Sequence, residues 1–200
     1  MEISTEEKAS RVFREHGGTL RTSEILRLGV HPRTLYQLRE SGQVVQLSRG
    51  VYRLADLPPL ENSDLAAAAM RVPDGIVCLV SALSFHKITS EIPHEIYLAI
   101  PTGKEKPKVD FPPMRIFHFS AETYAVGVEK HQMDGFKIKV YSMEKTIADC
   151  FKFRNRIGLD IALEALRLCI RKGGSRRKIL HFARICRVER VIRPYLEATQ

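Results

Sequence analysis

Apolar residues recur at helical spacing along the first part of the chain, which predicts an amphipathic helix there. Ser4 and Glu7 form a capping-box pattern, because each side chain can bond a free backbone amide of the first turn. Gly17-Gly18 is predicted to end this helix, since glycine adopts the left-handed conformation at little cost. The predicted apolar face consists of Ala9, Val12, Phe13 and His16.

Two shorter helices are predicted to follow. Thr22 is the expected cap of the second helix, and Gly29 ends it after about two turns. The third begins at His31-Pro32, because proline suits a first helical position where its missing N–H is not needed, and it ends at Gly42. The residues expected to face the core are Ile25, Leu26 and Leu28 in the second helix, and Leu35 and Leu38 in the third.

A hairpin is predicted next. The β-prone runs Val44–Leu47 and Val51–Leu54 flank the turn Ser48-Arg49-Gly50. The order helix, helix, turn, helix, hairpin is that of a winged helix-turn-helix. Asp56 to Pro59 is expected to be a linker, since prolines resist continuation of a helix or a strand.

The rest of the chain mixes helical and strand patterns. Strands are expected over 95–100, 114–119, 126–131 and 136–141, the last two joined at Met133-Asp134-Gly135, and an exposed proline-rich loop over 101–113. Helices are expected over 65–72, 81–88, 143–153, 159–171, 175–184 and 187–197. The predicted fold is α+β: a winged helix-turn-helix domain over 1–57, then a mixed α+β domain over 62–200 ending in a helical segment.

Positive charge is concentrated near the C-terminal end of the chain. The chain carries 32 Lys and Arg against 23 Asp and Glu, a net charge of +9. Residues 1–57 hold nine basic and seven acidic residues, whereas residues 167–193 hold ten basic residues and one acid, Glu189. Such an excess favours an anionic partner, usually nucleic acid.

The third helix is the candidate reading element for DNA. With Leu35 and Leu38 inward, the residues expected outward include Arg33 and Gln37, one turn apart, whose side chains can bond guanine and adenine edges bidentately. Arg49 at the hairpin tip is expected to touch phosphate or enter the minor groove, and the start of the second helix to donate to phosphate. The full set of predicted DNA-binding residues is Thr22, Ser23, Arg33, Thr34, Tyr36, Gln37, Arg39, Arg49 and Arg53.

The C-terminal basic segment is a second candidate surface. Three of its cations, Arg176, Arg177 and Lys178, sit at a predicted helix start, where the helix macrodipole disfavours positive charge. The segment is either a solvated helix face or a contact surface for DNA phosphate or an acidic protein, and the sequence does not separate these. The predicted partner-binding patch is Arg171, Lys172, Arg176, Arg177, Lys178, Arg184 and Arg187.

Several kinds of chemistry lack their sequence signatures. The cysteines at 78, 150, 169 and 186 have no zinc or disulfide spacing, and the seven histidines form no ligand motif; His86, His118 and His181 are expected in the core or at its boundary. Gly173-Gly174-Ser175 resembles a nucleotidyltransferase turn but lacks the paired carboxylates that hold metal ions. We therefore expect no enzyme, metal or cofactor. With no membrane span and no signal peptide, we expect a cytoplasmic protein.

Several stretches resemble the AbiEi-type antitoxins. In the N-terminal part these are Gly17-Gly18, Thr22, Arg33 to Leu38, Gly42 and Arg49 to Tyr52. In the C-terminal part they are Ser81 to His86, Ala99 to Pro101, Met143 to Phe151 and Gly158 to Leu166, so that the resemblance covers nearly the whole chain.

The resemblance implies a function. Proteins of this family are antitoxins of type IV toxin–antitoxin systems, linked to abortive infection of phage-infected bacteria. Their N-terminal domain binds inverted repeats in their own promoter and represses it. Their C-terminal domain counteracts a nucleotidyltransferase-like toxin without needing a stable complex. The resemblance assigns Arg33, Thr34, Tyr36, Gln37 and Arg49 to the DNA-reading helix and wing, and assigns no role to Arg176, Arg177 and Lys178. We expect a monomer or weak dimer.

Three alternatives stay open at this point. The C-terminal domain of a one-component regulator could sense a small ligand, which ligand-dependent release of DNA would reveal. An enzyme acting on nucleic acid is disfavoured by the lack of clustered acids or an activated nucleophile. A winged helix that serves only as a protein-interaction module would show salt-insensitive or absent DNA binding.

Overall fold

The computed structural model describes residues 4–58, 62–107, 111–133 and 136–199. It divides into two units, the first comprising residues 1–67 and 132–137, the second residues 68–131 and 138–200. The division falls inside a helix, Ser63–Arg71, so the domain boundaries at 57 and 62 stay a prediction. Pro59 of the predicted linker, residues 108–110 of the predicted loop and Asp134-Gly135 of the predicted turn lie outside the described residues.

The N-terminal unit contains a winged helix. Its elements are α1 (Thr5–Glu15), β1 (Thr19–Arg21), α2 (Thr22–Arg27), α3 (Pro32–Glu40), β2 (Val44–Ser48) and β3 (Val51–Leu54). The strands form an antiparallel sheet in the order β1-β3-β2, with Leu20 opposite Tyr52 and Val45 opposite Arg53. The three helices and the hairpin were predicted, whereas β1 was not, because three residues are too few to show a period.

Local capping explains where the helices begin. Ser4 Oγ accepts from the Glu7 amide at 3.1 Å while Glu7 Oε2 accepts from the Ser4 amide at 2.8 Å, which confirms the capping box. His31 caps α3 through Nδ1, which accepts from the Arg33 amide at 3.2 Å, and Pro32 stands in the first turn as predicted.

The core of the N-terminal unit lies between the helices and the sheet. Phe13, Ile25 and Leu38 are fully buried at its centre, where Leu35 also lies. Two predictions are wrong here: Leu26 is 43% exposed, and His16 is exposed. The six-residue α2 presents one narrow face to the core, and Ile25 occupies it.

The second unit begins within α4 (Ser63–Arg71). Its strands are β4 (Ile76–Val77), β5 (Ile96–Pro101), β6 (Met114–Phe119) and the larger parts of β7 (Val128–Met133) and β8 (Phe136–Tyr141). Its helices are α5 (Leu79–Phe85), α6 (Ala121–Ala125), α7 (Met143–Lys152), α8 (Arg154–Ile157), α9 (Leu159–Arg171), α10 (Arg176–Ile185) and α11 (Glu189–Ala198). The longer elements follow the predictions within a few residues, whereas β4, α6 and α8 were not predicted.

The sheet of the second unit is mixed, with strand order β6-β5-β4-β8-β7. β4 runs antiparallel to β5 and parallel to β8, and β5 runs parallel to β6. The two-residue β4 is therefore the centre of the sheet. Helix α7 packs against α5, α9 and α10, and its side chains join a core that includes Phe117, Tyr141 and Phe151. The predicted α+β fold with a winged helix and C-terminal helices is confirmed.

Polar residues at the edge of this core differ partly from expectation. His86 is half-buried, and its Nε2 lies 2.7 Å from the Tyr141 carbonyl oxygen, which agrees with a boundary position. His118 and His181 are exposed, so the prediction that they lie at a core boundary is wrong. All four cysteines are buried, as expected for small apolar side chains. Within the described ranges, every helix is too short or too polar to cross a membrane.

Candidate nucleic-acid interface

Helix α3 presents a polar face to solvent. Arg33, Tyr36, Gln37 and Arg39 are exposed, Tyr36 by 52%. Arg33, Tyr36 and Gln37 follow helical spacing of three and four residues and form one stripe. The guanidinium of Arg39 lies over the Tyr36 ring, 5.3 Å from its centroid, and restrains both side chains. The face therefore offers bidentate donors and acceptors of the kind that read base edges.

Thr34 does not belong to this face. Its exposed fraction is 5%, and it lies on the buried side of α3 with Leu35 and Leu38. The prediction that Thr34 is exposed is wrong, because residues 34, 35 and 38 share one helix face and Thr34 joins the apolar pair inside. Its methyl group suits such a position.

The wing carries Arg49 at its tip. Arg49 is exposed in the turn between β2 and β3, next to Gly50, whose φ of +77° favours glycine. The Gly50 carbonyl oxygen accepts from the Thr22 amide at 2.9 Å and from the Thr22 hydroxyl at 3.2 Å. The start of α2 therefore holds the wing tip in place.

This bond alters the predicted role of Thr22. Its hydroxyl hydrogen is used within the protein, and Arg21 rather than Thr22 is the N-cap of α2, where Glu24 Oε2 accepts from the Arg21 amide at 2.9 Å. The side chain of Ser23 is exposed at the same helix start. Of the two residues predicted to donate to phosphate, Ser23 is the one whose position suits the role.

Arg53 is buried and serves the fold. Only 6% of it is exposed, and its guanidinium donates to Thr19 Oγ1 at 3.1 Å and to the Pro58 carbonyl oxygen at 2.8 Å. The prediction that Arg53 binds DNA is therefore corrected. The sequence-based error follows from missing β1: in a two-stranded hairpin Arg53 would be on an edge strand, but β3 is the middle strand.

The C-terminal basic segment separates into engaged and unengaged cations. The side chain of Lys172 donates to the His86 carbonyl oxygen at 3.0 Å, and Arg184 pairs with Glu189 at 2.9 Å. Arg176 donates to the carbonyl oxygens of Leu196, at 3.0 Å, and Thr199, and so holds the end of α11. All seven predicted patch residues are exposed. The seven patch residues all lie in the described part of the chain, and four of them make no ion pair and no side-chain hydrogen bond: Arg171, Arg177, Lys178 and Arg187.

A cavity that the sequence did not predict lies beside α10. It measures about 580 Å³ and is bounded by the starts of β7 and α7 and by one side of α10, including Arg177 and Lys178. Its walls combine residues far apart in sequence, so no local pattern could have revealed it.

A buried ion pair within α7 was also missed. Lys145 and Asp149 are both 0% exposed, and Lys145 Nζ lies 2.6 Å from each Asp149 carboxylate oxygen. The Cys186 thiol donates to Asp149 at 3.3 Å, and Lys145 Nζ lies 4.3 Å from the centroid of the Tyr141 ring. The spacing of four residues was visible as a helical Lys–Asp pair, but surface pairs look the same in sequence.

Burial raises the pKa of several acidic groups in this unit. Desolvation raises the pKa of the Asp149 carboxyl, and the Lys145 ammonium opposes that rise. Burial likewise raises the pKa of the Cys186 and Cys169 thiols to about 12. Thiols with such pKa values are poor nucleophiles near neutral pH. In the described part of the chain, no group of three or more His, Cys, Asp or Glu residues is placed to hold a metal ion.

Comparison with known families and structures agrees with the N-terminal geometry. Residues 7–55 match the family described as "Transcriptional regulator, AbiEi antitoxin", and this segment spans most of α1 and all elements from β1 to β3, with the exposed polar face of α3 and the wing. The match confirms the predicted resemblance for the winged helix. The AbiEi-like stretches of the C-terminal part lie outside the matched residues.

Two further comparisons concern the whole chain. No curated protein matches the sequence. Among solved structures, the RV2827C protein of Mycobacterium tuberculosis is similar in fold, with a TM-score of 0.54 and 13% sequence identity over 100% of this chain and 83% of that chain. At this identity the similarity describes the fold alone.

Proposed function

We propose that the protein is the antitoxin of a type IV toxin–antitoxin system and represses its own promoter, because its residues 7–55 match the AbiEi antitoxin transcriptional regulator family. The observation that carries the proposal is the exposed stripe of Arg33, Tyr36 and Gln37 on the third helix of a winged helix. The family match supports a regulator or antitoxin role, and the stripe supports DNA as the ligand.

In this proposal DNA is bound in two ways. Arg49 on the wing and Ser23 at the start of α2 contact phosphates, which supply affinity without sequence choice. Arg33 and Gln37 enter the major groove and select guanine and adenine edges. Tyr36, stacked with Arg39, adds an apolar surface beside them. The expected sites are inverted repeats upstream of the gene, bound by a monomer or weak dimer in the cytoplasm.

The second part of the proposal concerns residues 62–200. We assign to them the neutralisation of a nucleotidyltransferase-like toxin, by a route that does not need a stable complex and involves no catalysis by this chain. Within the basic segment, Arg177 and Lys178 are best placed to contact a partner, because they are exposed and make no ion pair. The guanidinium of Arg176, by contrast, already donates to a carbonyl oxygen of α11.

DNA reading is tested by fluorescence anisotropy with the gene's own upstream DNA. We expect Arg33→Ala and Gln37→Ala each to weaken binding by ~1–3 kcal/mol and to blur the preference for one base. The control is Arg167→Ala, which removes an exposed arginine from α9. Wild-type protein that fails to bind this DNA, or Arg33→Ala protein that binds as tightly as wild type, contradicts the assignment.

Neutralisation is tested in cells that express the neighbouring nucleotidyltransferase gene. We expect co-expression of wild-type chain to restore growth, and the Arg33→Ala variant to restore it equally, because DNA reading and neutralisation reside in different units. Loss of rescue in Arg177→Ala/Lys178→Ala protein with unchanged DNA affinity assigns the basic segment to the toxin or its target. Absence of rescue by well-expressed wild-type protein contradicts the antitoxin role.

A further inference from the structure

We propose that the cavity beside α10 binds a nucleoside phosphate. The proposal goes beyond DNA reading and toxin neutralisation, since it gives the second unit a small-molecule ligand. The cavity volume of about 580 Å³ falls in the range of ~300–1,000 Å³ typical of small-molecule sites. Its lining includes two acids, two cations, an imidazole and an aromatic ring, which are Glu129, Glu144, Arg177, Lys178, His181 and Phe182.

The acids of the cavity are already engaged, whereas two of its cations are not. Glu144 Oε1 accepts from the Ser175 amide at 3.2 Å, and Glu129 Oε2 lies 3.1 Å from His131 Nε2. Arg177 and Lys178 are exposed, and within the described chain neither makes an ion pair. Both stand in the first turn of α10, which contains no acidic residue. The positive potential there is left for a ligand to neutralise, and phosphate suits an arginine–lysine pair.

Gly127 lines the cavity where three elements pack closely. Gly127 has a φ of +70°, and a Cβ there would lie 2.7 Å from Lys145 Cβ and 3.1 Å from the ring of Phe182. Glycine thus lets the chain before β7 approach α7 and α10, the three elements that line the cavity. The rings of Phe182 and His181 lie edge to face, 5.3 Å apart, and provide a surface on which a base can stack.

The carboxylates favour a small ligand over a nucleic-acid backbone. A duplex presents rows of phosphates from a convex surface, which Glu129 and Glu144 would repel. A nucleoside phosphate can place its phosphates on Arg177 and Lys178. Its sugar hydroxyl or base amino groups can donate to the second oxygen of each carboxylate, since Ser175 and His131 use only one oxygen of Glu144 and Glu129. A ligand that carries both phosphates and hydrogen-bond donors therefore fits the mixture of positive and negative side chains around this cavity.

The test is isothermal titration calorimetry of the full chain with ATP, adenosine and pyrophosphate at fixed ionic strength. We expect ATP to bind one-to-one, and about tenfold or more tightly than adenosine or pyrophosphate, because only ATP uses both ends of the cavity. Amide signals of Gly127 and His181 should shift in a ¹⁵N–¹H spectrum on addition of ATP. Absence of saturable ATP binding, or adenosine binding as tight as ATP binding, overturns the proposal.

Matched charge variants locate the site. Arg177→Gln/Lys178→Gln should weaken ATP binding by about tenfold or more, whereas Arg171→Gln/Arg190→Gln, with the same loss of charge from exposed positions, should change it less than about twofold. Unchanged melting temperatures exclude misfolding as the cause. Equal weakening in both double variants overturns the proposal. So does displacement of ATP by a short duplex, which would assign the cations to DNA; the Arg33→Ala result is independent of either outcome.

Discussion

Lys145 and Asp149 bring opposite charges together in a single helical turn that water does not reach. Removing both ions from water is costly. Three interactions offset that cost: the ion pair itself, the hydrogen bond from the Cys186 thiol to Asp149, and the contact of the Lys145 ammonium with the Tyr141 ring. Removing one partner leaves the other charge buried and unpaired, which costs far more than removing both. The free energy of unfolding should therefore depend on the pair as a unit.

We predict that Asp149→Ala lowers the free energy of unfolding by ~3–5 kcal/mol, because it leaves the Lys145 ammonium buried without a counterion. The double variant Lys145→Met/Asp149→Leu should recover most of that loss, since it removes both charges and refills the space. Urea denaturation of the three proteins measures the effect. A double variant that is less stable than Asp149→Ala would show that the two charges do not act as a pair.

Arg53 acts as a structural cross-link rather than a DNA contact. We predict that Arg53→Met lowers the local stability of β1 and β3 by ~1–3 kcal/mol, because the Thr19 hydroxyl and the Pro58 carbonyl lose a charged donor. Amide hydrogen exchange of these strands reports it. Arg39→Met on the exposed face of α3 is the control and should leave the exchange unchanged. Unaltered protection in Arg53→Met protein would be inconsistent with the cross-link.

At the scale of elements, neighbouring basic residues at the start of α10 have different roles. Helix α10 begins at a Ser175 cap whose Oγ accepts from the Lys178 amide at 3.3 Å. The arginine that follows the cap reaches across to the last carbonyls of α11, while the next two cations remain on the surface. Neighbouring residues of one charged run thus differ in what they do.

This difference predicts opposite outcomes for adjacent substitutions. Arg176→Ala should fray the last turn of α11 and increase amide exchange there, because the carbonyl oxygens of Leu196 and Thr199 lose their donor. Arg177→Ala should leave that exchange at the wild-type level, since its side chain contacts no α11 carbonyl among the described residues. Identical exchange profiles for the two variants would refute the assignment of Arg176 as a cap.

At the scale of the whole molecule, the described residues form two apolar cores. One is formed by residues of α1 to β3, and the other by the mixed sheet with α5 and α7 to α11. Each core gathers side chains from its own part of the chain, as expected for parts that fold as separate units. The exposed polar face of α3 belongs to the first unit, and the cavity with Arg177 and Lys178 belongs to the second.

We predict that residues 62–200 alone restore growth to toxin-expressing cells but do not bind the upstream DNA, since the reading helix and the wing are absent. Growth rescue and anisotropy measure the two properties, and circular dichroism establishes that the fragment is folded. A folded fragment that binds this DNA as tightly as the full chain, or that gives no rescue where the full chain does, would contradict the proposed division of labour.

The longer helices and strands were predictable because their signals are local. Ser4 with Glu7, and His31 with Pro32, mark helix starts through contacts within three residues, and the outward position of Arg33 and Gln37 follows from helical period alone. Four short elements, β1, β4, α6 and α8, escaped prediction because two to five residues carry no period. Their existence depends on the strands and helices beside them.

The sequence by itself determined the winged helix and the exposed polar face of its third helix, since both depend on residues close along the chain, and it fixed the surplus of positive charge by composition. Only the tertiary structure decided that Arg53 is buried, because the pairing of β1 with β3 joins distant residues. It also decided that Arg176 caps a helix while Arg177 and Lys178 face a cavity with Glu129 and Glu144. Burial and cavity shape are properties of several elements at once, and no local pattern encodes them.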